Sequence, residues 1–164
     1  MAKMESIKDL FMHELKDIYH AEQQLVDALP KINEKISSSE LRSTIEMHLE
    51  QTKDQVKRVE RVFDQLSESP TAERCQAMEG LLEEANEIMR QDISSEVMDA
   101  ALIAGQQKIE HYEIASYGTL VTWAEEMQNK EIADILKETL QEEKQADEKL
   151  SQVAVQSANE RAMK

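Results

Sequence analysis

Apolar side chains recur every three or four positions in long runs along this chain, the spacing of helices that bury one face. The first run covers residues 5–36, with Ile7, Phe11, Leu15, Ile18, Leu25, Leu29 and Ile36 on one stripe. Pro30 lies inside it and predicts a kink or an early end. Residues 37–40 read as a break carrying a capping box, Ser37 with Glu40. A second helix follows over residues 39–66, with Leu41, Ile45, Leu49, Val56, Val59 and Phe63 inward. So short a connection makes the first two helices antiparallel neighbours. Residues 67–73, which include Pro70, form a linker to a shorter helix over residues 75–90. Ser94 and Ser95 offer an N-cap for a fourth run that reaches residue 127. After Gln128 and Asn129, a fifth run over residues 130–157 puts Ile132, Leu136, Leu140, Leu150 and Ala154 on its inner face. Residues 159–164 are expected to fray.

Two antiparallel hairpins joined by a long crossover predict an all-α, ferritin-like four-helix bundle with an additional short helix in the crossover. Residues 1–158 are read as its single domain; the plain alternative is an up-down bundle with a small fifth helix on its side. Three glycines and two prolines among 164 residues suit this reading.

The formal net charge is −15, a surface that repels phosphate backbones and argues against nucleic acid as a partner. One cysteine, Cys75, cannot form an internal disulfide, which suits a reducing compartment and a cytoplasmic protein. The N-terminus lacks the apolar core of a leader, and no apolar run approaches membrane-spanning length, so no membrane association is expected. There is no glycine-rich phosphate loop, nucleophile elbow, CxxC or HExxH motif.

The candidate chemistry lies in acids on the apolar stripes. Glu110 and Glu113 stand one turn apart in the middle of the fourth run, on the face of Ile103, Ile114, Tyr117, Val121 and Ala124. Glu22 falls on the midline of the first helix, and Glu143 with Asp147 at the centre of the last. Midpoints of bundled helices meet at one level, so these five acids are expected to converge. Crowded buried carboxylates need shared protons or cations, and oxygen ligands of this kind suit iron or manganese, one or two ions. A carboxylate-bridged di-metal bundle takes one Glu from each of two helices and Glu-x-x-His from each of the other two. Here Thr52 and Gln55 stand where the second helix would carry that pair, and Ala146 follows Glu143 where the last would carry its histidine. Asp147, Gln55, water, or His48, one turn from Thr52 on the flank of the same face, would have to fill in. His13, His20 and His111 read as structural or surface residues, and Cys75 as an ordinary thiol.

The segments LFMHELKDIYHAEQQL, MHLEQTKDQV, CQAMEGLLEEANE, KIEHYEIASYGTL and KETLQEEKQADEKL resemble the YciE/YciF family of bacterial ferritin-like stress proteins over nearly the whole chain. The resemblance implies a ferritin-like bundle with a crossover helix, a homodimer, a bacterial cytoplasmic location and an association with stress. A more distant likeness to rubrerythrins matches their ligands at Glu22, Glu110, Glu113 and Glu143, without the histidines. Together these readings give a stress protein binding iron or manganese in its core, with oxygen or peroxide chemistry if it is an enzyme. The rival is a metal-free helical dimer that works through partners.

Overall fold

The computed structural model describes residues 4–164. Helix α1 spans Ile7–Lys35, α2 Ser39–Gln65, α3 Gln76–Met89, α4 Ser95–Glu126 and α5 Lys130–Val153. A π-helical turn, Ala154–Ala158, carries α5 into a last turn, α6 (Asn159–Ala162). Among the described residues there is no strand.

Helices α1, α2, α4 and α5 form the bundle, with α1 packed on α2 and α4, and α5 on α2 and α4. Ser37 and Ser38, after the end of α1, meet Asp99 at the start of α4, so these two helices run in opposite directions. Gln65 at the end of α2 meets Glu131 at the start of α5. The order is therefore up, down, down, up: α2 and α4 run the same way, which is why the chain needs a long return between them. Helix α3 makes that return against α1 and α4. The buried positions of α2 step through Leu41, Ile45, His48, Thr52, Gln55, Val59 and Val62, and those of α5 through Ile132, Leu136, Thr139, Glu143, Ala146, Leu150 and Val153. Alternating steps of three and four are the mark of a left-handed bundle seam. In α4, covered also by α3, burial spreads around the helix, from Met98 and Leu102 to Ile109 and Leu120.

Three boundaries differ from the sequence reading, each for a local reason. Helix α1 runs through Pro30 to Lys35, its stripe continuing beyond the proline to the buried Ile32. The N-cap of α2 is Ser38, whose Oγ accepts from the Leu41 N–H; Ser37 instead donates its N–H and its Oγ to Asp99. Residues 159–162, expected to fray, continue as helix, and Arg161 donates to Asp99 at 3.0 Å.

Asp99 is the fastening of this end. It is fully buried and accepts from Ser37 N (2.8 Å), Ser37 Oγ (2.7 Å), Ser38 N (3.0 Å) and Arg161 Nη2. Substituting it leaves two loop N–H groups without their acceptor, and a lost partner of a buried donor costs about 1–3 kcal/mol each. Asp99→Ala is expected to lower the urea unfolding free energy by about 3 kcal/mol; a loss below about 1 kcal/mol would show that water replaces the carboxylate freely.

Candidate metal centre

Halfway along the bundle the seam turns polar. Glu22 of α1, Glu110 and Glu113 of α4 and Glu143 of α5 are each 0% exposed, as are Thr52 and Gln55 of α2, and His48 is 3% exposed. Each stands at a seam position, so the helical repeat that builds the apolar layers at either end also drives these groups inward. One ligand atom from each of His48, Glu110, Glu113 and Glu143 lies within 4.8 Å of the other three. Glu22 sits beside them, with Glu143 the strongest charge acting on it.

Hydrogen bonds fix one oxygen of each of three carboxylates. Tyr117 donates its hydroxyl to Glu22 Oε1, Gln106 its amide to Glu110 Oε1 at 2.7 Å, and Gln55 its amide to Glu143 Oε1. The second oxygens of Glu22, Glu110 and Glu143, and both oxygens of Glu113, have no protein partner. His48 lies 3.2 Å from Glu110 Oε1 without the alignment of a hydrogen bond, and both its ring nitrogens are unpartnered. Burial holds the His48 pKa below the usual histidine range, so the imidazole is neutral and keeps a lone pair to offer.

Burial, with the neighbouring carboxylates, pushes Glu22, Glu113 and Glu143 well above the ordinary carboxylate range. Glu110 is raised to about 7, chiefly by burial, while its close approach to Glu143 and the Gln106 amide moderate the rise. Arg58 of α2, whose charge reaches Glu22, is engaged on the rim. It donates to both oxygens of Glu142 at 2.6 and 2.7 Å and to Glu138 at 2.8 Å. What remains inside is acceptor-rich and short of positive charge, with oxygen and imidazole atoms that fit a hard divalent transition ion.

Asp147 is not in this group. The seam on α5 passes from Glu143 to Ala146, and Asp147 turns to the edge, where it accepts from Gln107 at 3.1 Å and pairs with the exposed His111 at 3.1 Å. His48 lies at the heart of the group instead of on its flank. Gln55 also lies inside, but points its amide nitrogen at Glu143 and, at 3.0 Å, at Glu142, so it orients a carboxylate and leaves only its carbonyl oxygen to spare. Tyr117 and Gln106 are the other two donors; their seam positions next to Glu113 and Glu110 were the available signal. His13 pairs with Glu73 at the surface. His20 accepts from the Cys75 N–H at 2.9 Å. Cys75 is buried with its thiol pushed up to about 11 by burial.

The family described as a domain of unknown function, DUF892, matches residues 6–163. The chain belongs to the DUF892 family. It is 47% identical to Protein YciF of Escherichia coli (strain K12) over 160 residues, 97% of this chain and 96% of that protein. The crystal structure of the E. coli stress protein YciF superposes with a TM-score of 0.91 at 46% identity, covering 95% of this chain and 99% of that one. YcfI of Rhodopseudomonas palustris gives 0.91 at 43% identity over 93% and 97% of the two chains. A protein of Xanthomonas campestris gives 0.73 at 26% identity over 96% and 99%. The ferritin-like bundle with its crossover helix and the likeness to YciF both stand on these matches.

The raised carboxyl groups have a consequence for the metal-free protein. Between the unfolded value of 4.5 and the folded value of about 7, folded Glu110 holds a proton that the unfolded chain has released. Its stabilising share is complete below pH 4.5 and lost as the pH rises through about 7. Glu110→Gln removes this titration. The chelated variant is therefore expected to gain on the chelated parent by about 3 kcal/mol from acid to mildly alkaline pH, read as the difference in urea unfolding free energies. A difference that does not change with pH would show that Glu110 titrates as an ordinary surface acid.

Proposed function

We propose that this chain is a stress-response member of the DUF892 family that holds iron or manganese among Glu110, Glu113, Glu143 and His48, with Glu22 completing the set. The observation that carries this reading is Glu113, a fully buried carboxylate with both oxygens unpartnered beside three other buried ligand groups. Burying a carboxylate without a donor costs several kcal/mol, and a cation at this point offsets that cost for all four acids together. The donors fit the same reading: Tyr117, Gln106 and Gln55 each tie one oxygen of a different glutamate and leave the other without a protein partner. Such outer partners orient ligands in metal sites.

A bound redox-active ion would supply Lewis acidity and one-electron chemistry towards oxygen or peroxide. The chain's own part is to hold the four carboxylates at fixed positions, keep His48 neutral, and exclude bulk water with apolar layers on both sides. Homodimerisation and a cytoplasmic location belong to the same reading, on the family likeness, the acidic surface and the single thiol. No described helix is long and apolar enough to cross a membrane.

A second reading is favoured by the same raised carboxyl groups: a metal-free helical protein in which shared protons satisfy the acids and the function lies in dimerisation or a partner. The two differ in what the purified protein carries. Protein prepared without chelator or histidine tag is expected to contain one to two iron or manganese ions per chain by elemental mass spectrometry. Changing Glu110 and Glu143 together to Gln should abolish that content. Removing the ion should lower the stability of the parent by about 3–4 kcal/mol, the mass-action gain from a ligand at a hundred to a thousand times its dissociation constant. No metal even after reconstitution, with a thermal midpoint indifferent to chelation, would overturn the metal reading and leave the second.

A further inference from the structure

A cleft between α2 and α5 leads from the surface to the buried group. Its volume is about 120 Å³. Its mouth lies at Met47, 54% exposed, with Gln51, Gln145 and Lys149; its walls are Ile45, Ala146 and Leu150; its floor is His48 with Gln106 and Glu110 of α4. Exposure falls to 3%, 2% and 0% at those three floor residues. The cleft thus narrows from solvent to the edge of the candidate centre.

Ala146 forms one wall of the cleft. The seam steps from Glu143 to Ala146, and the histidine of a Glu-x-x-His pair would stand there. With only a methyl group at this position, the space that a ring would take is part of the cleft.

The floor carries unpaired polar atoms. Gln106 Oε1, Glu110 Oε2 and both ring nitrogens of His48 are buried without a partner, because Gln106 has turned its amide nitrogen to the other oxygen of Glu110. Two acceptors and an imidazole, which has one N–H and one lone pair, therefore lie just behind the inner end of an aliphatic slot. Lys149 at the mouth is paired with Glu40 at 3.4 Å and does not offset the carboxylates below, so an anion is repelled. Cavities of this order accept molecules up to about the size of benzene.

We propose that this cleft is a binding pocket for a small uncharged molecule with an O–H head and a short alkyl body, an alcohol or a hydroperoxide. The head donates to Gln106 Oε1 or Glu110 Oε2 and accepts from the His48 N–H, and the body lies against Ile45, Ala146 and Leu150. The consequence for chemistry rests on the metal-centre reading, since the pocket would deliver the head to that centre; binding itself does not, and is tested with the ion removed.

The probe is tert-butanol, inert and compact, titrated into chelated full-length protein while the Ala146 methyl and His48 ring signals are followed by NMR. Saturable shifts at both are expected in the parent, with the affinity read at the His48 ring weakened at least tenfold in Ala146→Leu, which fills the slot; Ala146→Val serves if the leucine variant does not fold. Xenon and tert-butylammonium are the comparison arms. Xenon binding with no saturable response to tert-butanol would reduce the cleft to an apolar void. Stronger binding of tert-butylammonium would make it a cation passage. Alcohol shifts that survive both substitutions would place binding elsewhere. Each of these three results overturns the proposal, and none depends on whether the chain retains metal.

Discussion

Burying four carboxylates at one level is the constraint to which the rest of this molecule answers. Glu22, Glu110, Glu113 and Glu143 are shut from water, and an ionised carboxylate in a medium of low polarity is among the costliest groups a fold can enclose. Apolar layers at both ends hold the helices to a single register. On the carboxyl-terminal side of α1 lie Leu25, Leu29 and Ile32, with Leu41 and Ile45 of α2; towards the other end are Phe11, Leu15, Val59 and Phe63. With the helices clamped on both sides, the acids cannot swing out to solvent. They must be met by protons, by donors or by a cation. Three donors are supplied, one each to Glu22, Glu110 and Glu143, and none to Glu113.

The direction of the chain serves the same end. Pairing α1 with α2 and α4 with α5 through short turns would leave α2 and α4 out of register without a return of suitable length. Helix α3 provides it, and its start is pinned: the Cys75 N–H donates to His20, and Gln24 donates to the Cys75 carbonyl at 3.3 Å. Tyr112 of α4 bonds Asp17 of α1 at 2.6 Å beside the Cys75 thiol. These contacts set α1 and α4 against each other next to the level where Glu22 faces Tyr117. At the far end Asp99 gathers the α1–α2 loop and Arg161. The carboxylate level is thus held by polar contacts on both sides as well as by apolar packing.

The bundle was legible in the sequence because helical periodicity, caps and a single long connection leave few alternatives. The four glutamates were legible for the same reason: acids on the midline of apolar stripes have nowhere else to point. His48 and Asp147 were misplaced by one cause. Leu49 and Val56 are only half-buried, yet as apolar residues they draw the stripe of α2 to one side of its true axis, which runs through His48, Thr52 and Gln55. On α5, a step of four from Glu143 reaches Asp147, but the seam takes a step of three and reaches Ala146. A period of 3.5 is distinguished from one of 3.6 only over several turns, and polar residues in the middle remove the markers that would show it. The bond of Tyr117 to Glu22 depends on which helix faces which, and no single helix carries that information, whereas Gln106 and Glu110 stand one turn apart on α4.

The site is lopsided, and the asymmetry bears on what it can hold. Helices α1, α4 and α5 contribute all four carboxylates, while α2 contributes a neutral imidazole and an amide that donates. Were α2 to carry a glutamate as well, the cluster would gain a charge and lose a donor. As built, four ionised carboxylates amount to four negative charges around a neutral histidine, which two divalent ions would balance and one would leave half uncompensated. With a single ion the remaining charge has to be met by protons, and the high proton affinity that burial imposes on Glu22, Glu113 and Glu143 provides for that. Proton and metal therefore compete for the same oxygens. The absence of bulk at Ala146 leaves the α2–α5 side as the open approach to them, beside the one nitrogen ligand and opposite the closed packing of α1 on α4.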